Sequence, residues 1–284
     1  MKRRELMRLG AAVLLAPMLL PRVVAAQSKY PERTIKLLVP FPPGGVNDPV
    51  GRIWADKMKP LLGTVVVENQ GGAGGALGAG SVARAQPDGY TILLGASGAM
   101  FIHPVATSQP TYDPVKDFRP IAILAFAPLC FVVHPSLPVR SLKELIDYAK
   151  ANPGMLSYGS TGVGSLPHVS GELFKILAKT PDITHVPYKG AGPMLTDLMG
   201  GQIPFAYPTL TAQVIALHRS GKLRMLAVST AHRNDAAPEI PTAAEAGLPG
   251  MVAQNVIGLY VPARTPQAII EQLAQATRLS LIHI

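Results

Sequence analysis

Apolar runs of strand length recur along this chain, each followed by a segment with helical spacing, and that alternation limits its fold more than any other feature. The runs are Thr34 to Val39, Thr64 to Glu68, Tyr90 to Gly95, Ile121 to Val133, Leu156 to Ser160, Ile183 to Tyr188, Ile203 to Tyr207, Leu223 to Ser229 and Asn255 to Val261. Parallel strands need a crossover long enough to hold a helix, so strands that alternate with helices predict an α/β fold with largely parallel sheets. With 284 residues and 48% hydrophobic content, the chain can bury the core of one large domain or two smaller ones.

The helical segments carry their own start and stop signals. After the first strand, Asn47 or Asp48 is placed to cap a helix, Pro49 falls in its first turn, and Val50, Ile53, Trp54 and Met58 recur at helical spacing. Ser141-Leu142-Lys143-Glu144 forms a capping box, and Asn152-Pro153-Gly154 closes that helix. Thr265-Pro266 opens a last helix to about Arg278. No repeat of solenoid period and no long linker interrupts the pattern. If the chain makes two lobes, it crosses between them in strands, for which Ile121 to Val133, broken by Pro128, and Leu223 to Ser229 are the candidates.

Lys2, Arg3, Arg4 and Arg8 precede the apolar run Ala11 to Leu20, and Val24-Ala25-Ala26-Gln27 follows. This is a secretory signal with a cut near Ala26, too short to span a membrane. Arg3-Arg4-Glu5-Leu6-Met7 also fits the twin-arginine pattern, which leaves Sec and twin-arginine export both open. Cys130 has no partner for an internal disulfide and is expected to be a small buried residue. The formal charge of +9 includes Lys2, Arg3, Arg4, Arg8 and Arg22 against Glu5, and losing that net +4 leaves about +5. Basic runs and interleaved aromatics are absent, which argues against nucleic acid, while a mild positive field suits a small anion.

Two glycine loops join a strand to a helix start: Phe41-Pro42-Pro43-Gly44-Gly45 and Gly159-Ser160-Thr161-Gly162-Val163-Gly164-Ser165. Such loops offer free backbone N–H groups and the positive end of a helix dipole to a phosphate or carboxylate, although each also serves simply to turn the chain. The run Gly71 to Gly80 matches G-x-G-x-x-A at Gly78, Gly80 and Ala83, but no acidic residue ends the next strand. It reads first as a helix start packed closely on its neighbour, and second as a segment that lines the site. Catalytic signals are sparse: Ser165 and His168 are near each other in sequence, yet no G-x-S-x-G elbow is present, and the histidines show no metal-binding spacing. Tyr188-Lys189 ends another strand and either supplies a hydroxyl and a cation to a bound carboxylate or forms an exposed turn.

The blocks YPERTIKLLVPFPPGGVND, VENQGGAGG, ARAQPDGYTILLG, YGSTGVGSLPHVSGELFK, VPYKGAGPMLTDLMGGQI and GKLRMLAVST, in this order, resemble the substrate-binding receptors of tripartite tricarboxylate transporters, also called the Bug family. The resemblance covers nearly all of the mature chain to about Arg278. It implies a two-lobed, type II-like periplasmic binding protein whose cleft closes on a small carboxylate by hinge motion. The ligand would pass to integral membrane permease subunits, with no reaction, cofactor or metal, and the receptor would be a monomer. On this reading 1–26 is the signal peptide, 27–126 plus 229–284 a discontinuous first lobe, and 127–228 the second.

The same resemblance assigns the grip on the carboxylate to backbone N–H groups and ordered water in the two glycine loops, through Phe41, Pro42, Gly44, Gly45, Ser160, Gly162, Gly164 and Ser165. Ser97, Tyr158, His168, Tyr188 and Lys189 would line the cleft. Two departures from the family stand out. An acidic residue commonly follows its GGQ block, but Gln202-Ile203 is followed by Pro204, which weighs against an amino-bearing ligand. The ending Leu279-Ser280-Leu281-Ile282-His283-Ile284 does not resemble the family's longer helical tail, whose absence would uncover apolar surface on the first lobe. Two other functions remain open: a receptor that presents its ligand to a sensor kinase, and a periplasmic hydrolase using Ser165 and His168.

Overall fold

Every apolar run becomes a strand, in two five-stranded sheets rather than one. β1 (Ile35–Val39) leads through α1 (Asn47–Leu62) to β2 (Val65–Asn69), and α2 (Ala76–Ala83) leads to β3 (Thr91–Ala96). A π-turn at Gly98–Ile102 and the short α3 (His103–Ala106) precede β4 (Phe118–Pro128), which runs on into β5 (Cys130–Val133). Then come α4 (Leu142–Ala151), β6 (Ser157–Ser160), α5 (Leu166–Ala178), β7 (Thr184–Pro187), α6 (Ala191–Met199), β8 (Phe205–Ala206), α7 (Ala212–Arg219) and β9 (Arg224–Val228). The chain ends in β10 (Gln254–Pro262) and α8 (Gln267–Leu281).

This computed structural model describes residues 30–281. The signal segment with its twin arginines lies outside the described residues, and so do residues 282–284 of the divergent ending. From Arg33 onward the described residues form one compact unit. Among the described residues no helix is long and apolar enough to cross a membrane.

The sheet orders are β2-β1-β3-β10-β4 and β7-β6-β8-β5-β9. They correspond strand for strand, and neither is largely parallel. β1 pairs in parallel with β2 and β3, and β6 with β7 and β8, whereas β10 runs antiparallel to β3 and β4, and β5 to β8 and β9. The exceptions have one cause. β5 and β10 arrive from the opposite sheet, so each enters its new sheet against the direction set by the local strand-helix-strand units.

The first crossing falls within the candidate run Ile121 to Val133, at Leu129 between β4 and β5. The second is not. β9 stays in the second sheet, with Met225, Leu226, Ala227 and Val228 all buried there. Residues beyond it remain on that side: Ala237 and Ile240 pack into one core of the second sheet, and Ala243, Leu248 and Met251 into the other. The chain returns only at Ala253, where three segments close a hydrogen-bonded ring. Leu129 N–H donates to Ala253 O at 3.2 Å, Ala253 N–H to Ser229 O at 2.9 Å, and Ser229 N–H to Leu129 O at 2.9 Å. Leu223 to Ser229 thus borders the return without making it, because its apolar side chains are already committed to both faces of the second sheet.

Strand alternation builds those two cores. Phe131 and Val133 of β5 face one cluster, while Cys130 and Val132 face the other. Cys130 is fully buried as expected, and burial pushes its thiol up, which keeps it protonated. In the first sheet, Trp54 and Met58 of α1 are buried while Ile53 is more than half exposed. Trp54 Nε1 donates to Thr277 Oγ1 at 3.1 Å, which ties α8 to α1. The glycine-rich α2 packs as the sequence suggests, since a Cβ on Gly78 would stand 2.8 Å from both Leu38 Cδ2 and Pro40 Cβ. Ser141 caps α4 by accepting Glu144 N–H at 3.1 Å.

Candidate functional site

Four helices from both sheets point their N-termini into one cleft with about 860 Å³ of empty space. α1 contributes Gly44 to Asn47, α5 contributes Ser165 to Pro167, α6 contributes Gly190 to Pro193, and α7 contributes Thr211 and Val214. Gly98, Thr161, Pro208, Thr209 and Asn255 fill the wall between them. Each N-terminus presents backbone N–H groups and a positive dipole end, so the cleft is electropositive with little help from side chains. The lining holds one charged side chain, Lys189, and no carboxylate. Lys189 is exposed at the mouth and has no ion pair among the described residues.

The loop before α1 is shaped by a carboxylate that does not serve the cleft. Asp48 Oδ2 accepts from Gly44 N–H at 3.4 Å and Arg52 Nε at 3.1 Å, while Oδ1 accepts from Asn69 Nδ2 at 3.1 Å. Burial pushes this carboxyl up, but the hydrogen bonds from Arg52, Asn69 and Gly44 outweigh it and hold it below its ordinary value. Gly44 sits at φ +86°, which lets the chain turn back on Asp48. Neither Asn47 nor Asp48 caps α1: Val46 is the cap residue, no side chain bonds there, and both polar residues lie inside the first turn. The helix starts one residue earlier than a side-chain cap at Asn47 requires, because the Asp48 contact folds the preceding glycines into place. The N–H groups of Gly45, Val46 and Asn47 find no acceptor among the described residues and remain open to a ligand.

The second glycine loop is more self-satisfied than its composition suggests. Gly162 N–H donates to Ser160 Oγ at 3.2 Å, and Gly164 N–H donates to His168 Nδ1 at 3.2 Å. Ser165 caps α5, accepting His168 N–H at 3.4 Å while its hydroxyl donates to Gly162 O at 2.7 Å. The donors expected at Gly162 and Gly164 are therefore used within the loop, and the free ones along the cleft are the N–H groups of Thr161 and Leu166. Ser165 and His168 do not form a nucleophile-base pair, since the hydroxyl is spent on a carbonyl and the ring on a backbone N–H.

Other candidates support the site from outside it. Ser97 ties β3 to β10: its N–H donates to Asn255 Oδ1 at 3.0 Å, and its Oγ accepts Val256 N–H at 2.9 Å. Tyr158 is fully buried beneath α5, with its hydroxyl 2.8 Å from Glu172 Oε1. Tyr188 donates its hydroxyl to Asp197 Oδ2 at 2.9 Å and lines an adjoining outer space with Gly71 to Gly75, Gly162 and Val163. Burial, reinforced by Asp197, pushes that hydroxyl up to about 12. Phe41, Pro42, Gly44, Gly45, Ser165 and Lys189 do line the cleft. The starts of α6 and α7, with Gly98 and Asn255, escaped sequence reasoning. A glycine before a helix was their signal at Gly190, and the capping Thr211 was the other.

The second loop is braced by stacked histidines. The rings of His168 and His185 lie 4.1 Å apart, and Ser160 Oγ lies 2.7 Å from His185 Nε2. Burial, and after it the neighbouring His168, hold His185 down at about 4. A histidine with its folded pKa below its unfolded value favours the neutral form in the fold, so its contribution is present above the unfolded value and fades as pH falls toward the folded one. Thermal stability is expected to fall between about pH 6.5 and 4, the interval between the two values. Melting curves of wild type and His185→Gln across that range test this; a gap between them that does not change with pH would refute it.

The model of the family described as tripartite tricarboxylate transporter family receptor matches residues 50–283. The protein BugT of Bordetella pertussis is 38% identical over 247 residues, covering 85% of this chain and 74% of BugT. The structure of the periplasmic binding protein BugD superposes with a TM-score of 0.83 at 36% identity, over 89% of this chain and 84% of that one. MatC from Rhodopseudomonas palustris with bound malate also gives 0.83, at 34% identity over 89% of this chain and 85% of that one.

Proposed function

Because the chain belongs to the tripartite tricarboxylate transporter receptor family, we propose that it captures a small mono- or dicarboxylate in the periplasm and delivers it to the permease subunits of such a transporter. The reading rests on one observation above the others: four helix N-termini converge on a cleft whose lining includes Lys189 and no carboxylate. Backbone donors at Gly45, Val46 and Asn47 on one side and Thr161 and Leu166 on the other hold the ligand's carboxylate, and Lys189 adds attraction at the mouth. An ammonium group would find no counter-charge there, which favours acids without an amino group. The malate held by the similar MatC fits this class.

The lobes are the two sheets with their helices, the second taking residues from about 127 to 253, and the hinge is the ring of Leu129, Ser229 and Ala253. The receptor works as a monomer. Thermal-shift and calorimetric screening of residues 27–284 against aliphatic and aromatic acids tests the reading. An acid at 100 times its Kd is expected to stabilise the protein by about 2.7 kcal/mol. If no carboxylate shifts the melting temperature, the reading fails.

A further inference from the structure

Lys189 stands where the cleft opens into the outer space of about 1370 Å³, and it lines both. Among the described residues it is the one charged side chain in either lining, and its ammonium has no ion pair. Thr161 also lines both spaces, and its hydroxyl has no partner among the described residues. Two other polar side chains of the cleft, Thr209 and Gln213, are neutral and line the inner space alone. The lobes already meet beside Lys189, since a Cβ on the next residue, Gly190, would stand 3.6 Å from Pro42 Cγ. Closure at that point thins the water around Lys189, so an ion pair made there is stronger than one on open surface.

Each of the four helix N-termini carries about half a unit of positive charge, so together with Lys189 the cleft can balance more than one carboxylate. The backbone donors of Gly45, Val46, Asn47, Thr161 and Leu166 take up the first. A second acidic group has one cation to meet, and without it that group would lie unpaired against Phe41, Pro42 and Pro43, which line both spaces. Resting on the carboxylate reading above, we infer that Lys189 is a specificity-determining residue that pairs with a second, distal carboxylate of the ligand where the two spaces join, with the Thr161 hydroxyl beside it. The preferred ligand is then a diacid. A monoacid of the same chain length makes the first contact and leaves Lys189 to solvent.

The test compares succinate with butyrate, and adipate with hexanoate, by calorimetry on wild type, Lys189→Met, Lys189→Arg and Gln213→Leu. Wild type is expected to bind at least one diacid ~10-fold or more tighter than its monoacid partner, and Lys189→Met to reduce that preference below ~3-fold. Lys189→Arg, which keeps the charge, is expected to restore most of it, and rising salt to shrink it in wild type but not in Lys189→Met. The inference is overturned if wild type shows no diacid preference in either pair, or if the preference survives in Lys189→Met. A loss that Lys189→Arg does not restore would assign the effect to packing instead of charge, which also overturns it. So would a preference abolished by Gln213→Leu, because the distal group would then lie by α7 in the inner space. Failure of wild type to bind any acid would instead defeat the carboxylate reading itself.

Discussion

Phe131→Ala is expected to lower the unfolding free energy by about 3–5 kcal/mol, the largest stability loss foreseen for a single substitution in this chain. Phe131 is fully buried and packs against three other rings, with centroid distances of 5.1 Å to Phe174, 5.9 Å to Phe205 and 4.6 Å to Tyr207. Those partners come from α5, from β8 and from the segment just beyond it, so no single element can shift to fill the space the ring leaves. Phe131 also stands two residues past Leu129, whose N–H and O hold the crossing together. Urea denaturation of wild type and variant measures the effect. A loss below about 1 kcal/mol would mean that the cluster collapses around the gap and is not the rigid centre of the second sheet.

Gly74→Asn is expected to weaken ligand affinity by about 100-fold while leaving the ligand-free protein nearly as stable as before. Gly74 lies in the turn before α2, at φ +64°, and belongs to the first sheet's side of the cleft. A Cβ added there would stand 3.1 Å from Gly164 C, 3.2 Å from Gly164 O and 3.3 Å from Val163 O, all on the loop from the second sheet. Asparagine tolerates the left-handed backbone better than other side chains, so local strain is small. The bulk beyond its Cβ acts as a wedge between the lobes. If the wedge leaves the closed form about 1% populated, the apparent Kd rises by the same factor. Calorimetry with an acid that binds wild type, alongside the two ligand-free melting temperatures, checks it. Unchanged affinity would show that closure does not need these loops in contact, and a large drop in melting temperature would show that the contact belongs to the fold.

Much of the architecture is legible in the chain because strands and helices are local. All nine apolar runs became strands, with Ile121 to Val133 divided at Leu129, and the caps at Ser141 and Thr265-Pro266 fall at helix starts. The two glycine loops also reach the cleft. Their donors were less legible, since whether a glycine N–H is free depends on what folds back on it. At Gly44 the partner is Asp48, four residues on, and at Gly164 it is the His168 ring.

What the sequence determined by itself is the α/β class, the positions of the strands, a first crossing within Ile121 to Val133 and the family. Each rests on spacing or motif within a short stretch. The tertiary structure alone decided the rest. It set the antiparallel entry of β5 and β10, the return at Ala253 in place of Ser229, the meeting of α6 and α7 at the cleft, and the exclusion of Ser97, Tyr158 and Tyr188 from its inner wall. These depend on groups far apart in the chain competing for one partner or one face. Hydrogen bonds such as Ser97 to Asn255 join residues 158 positions apart, and no local pattern encodes that pairing.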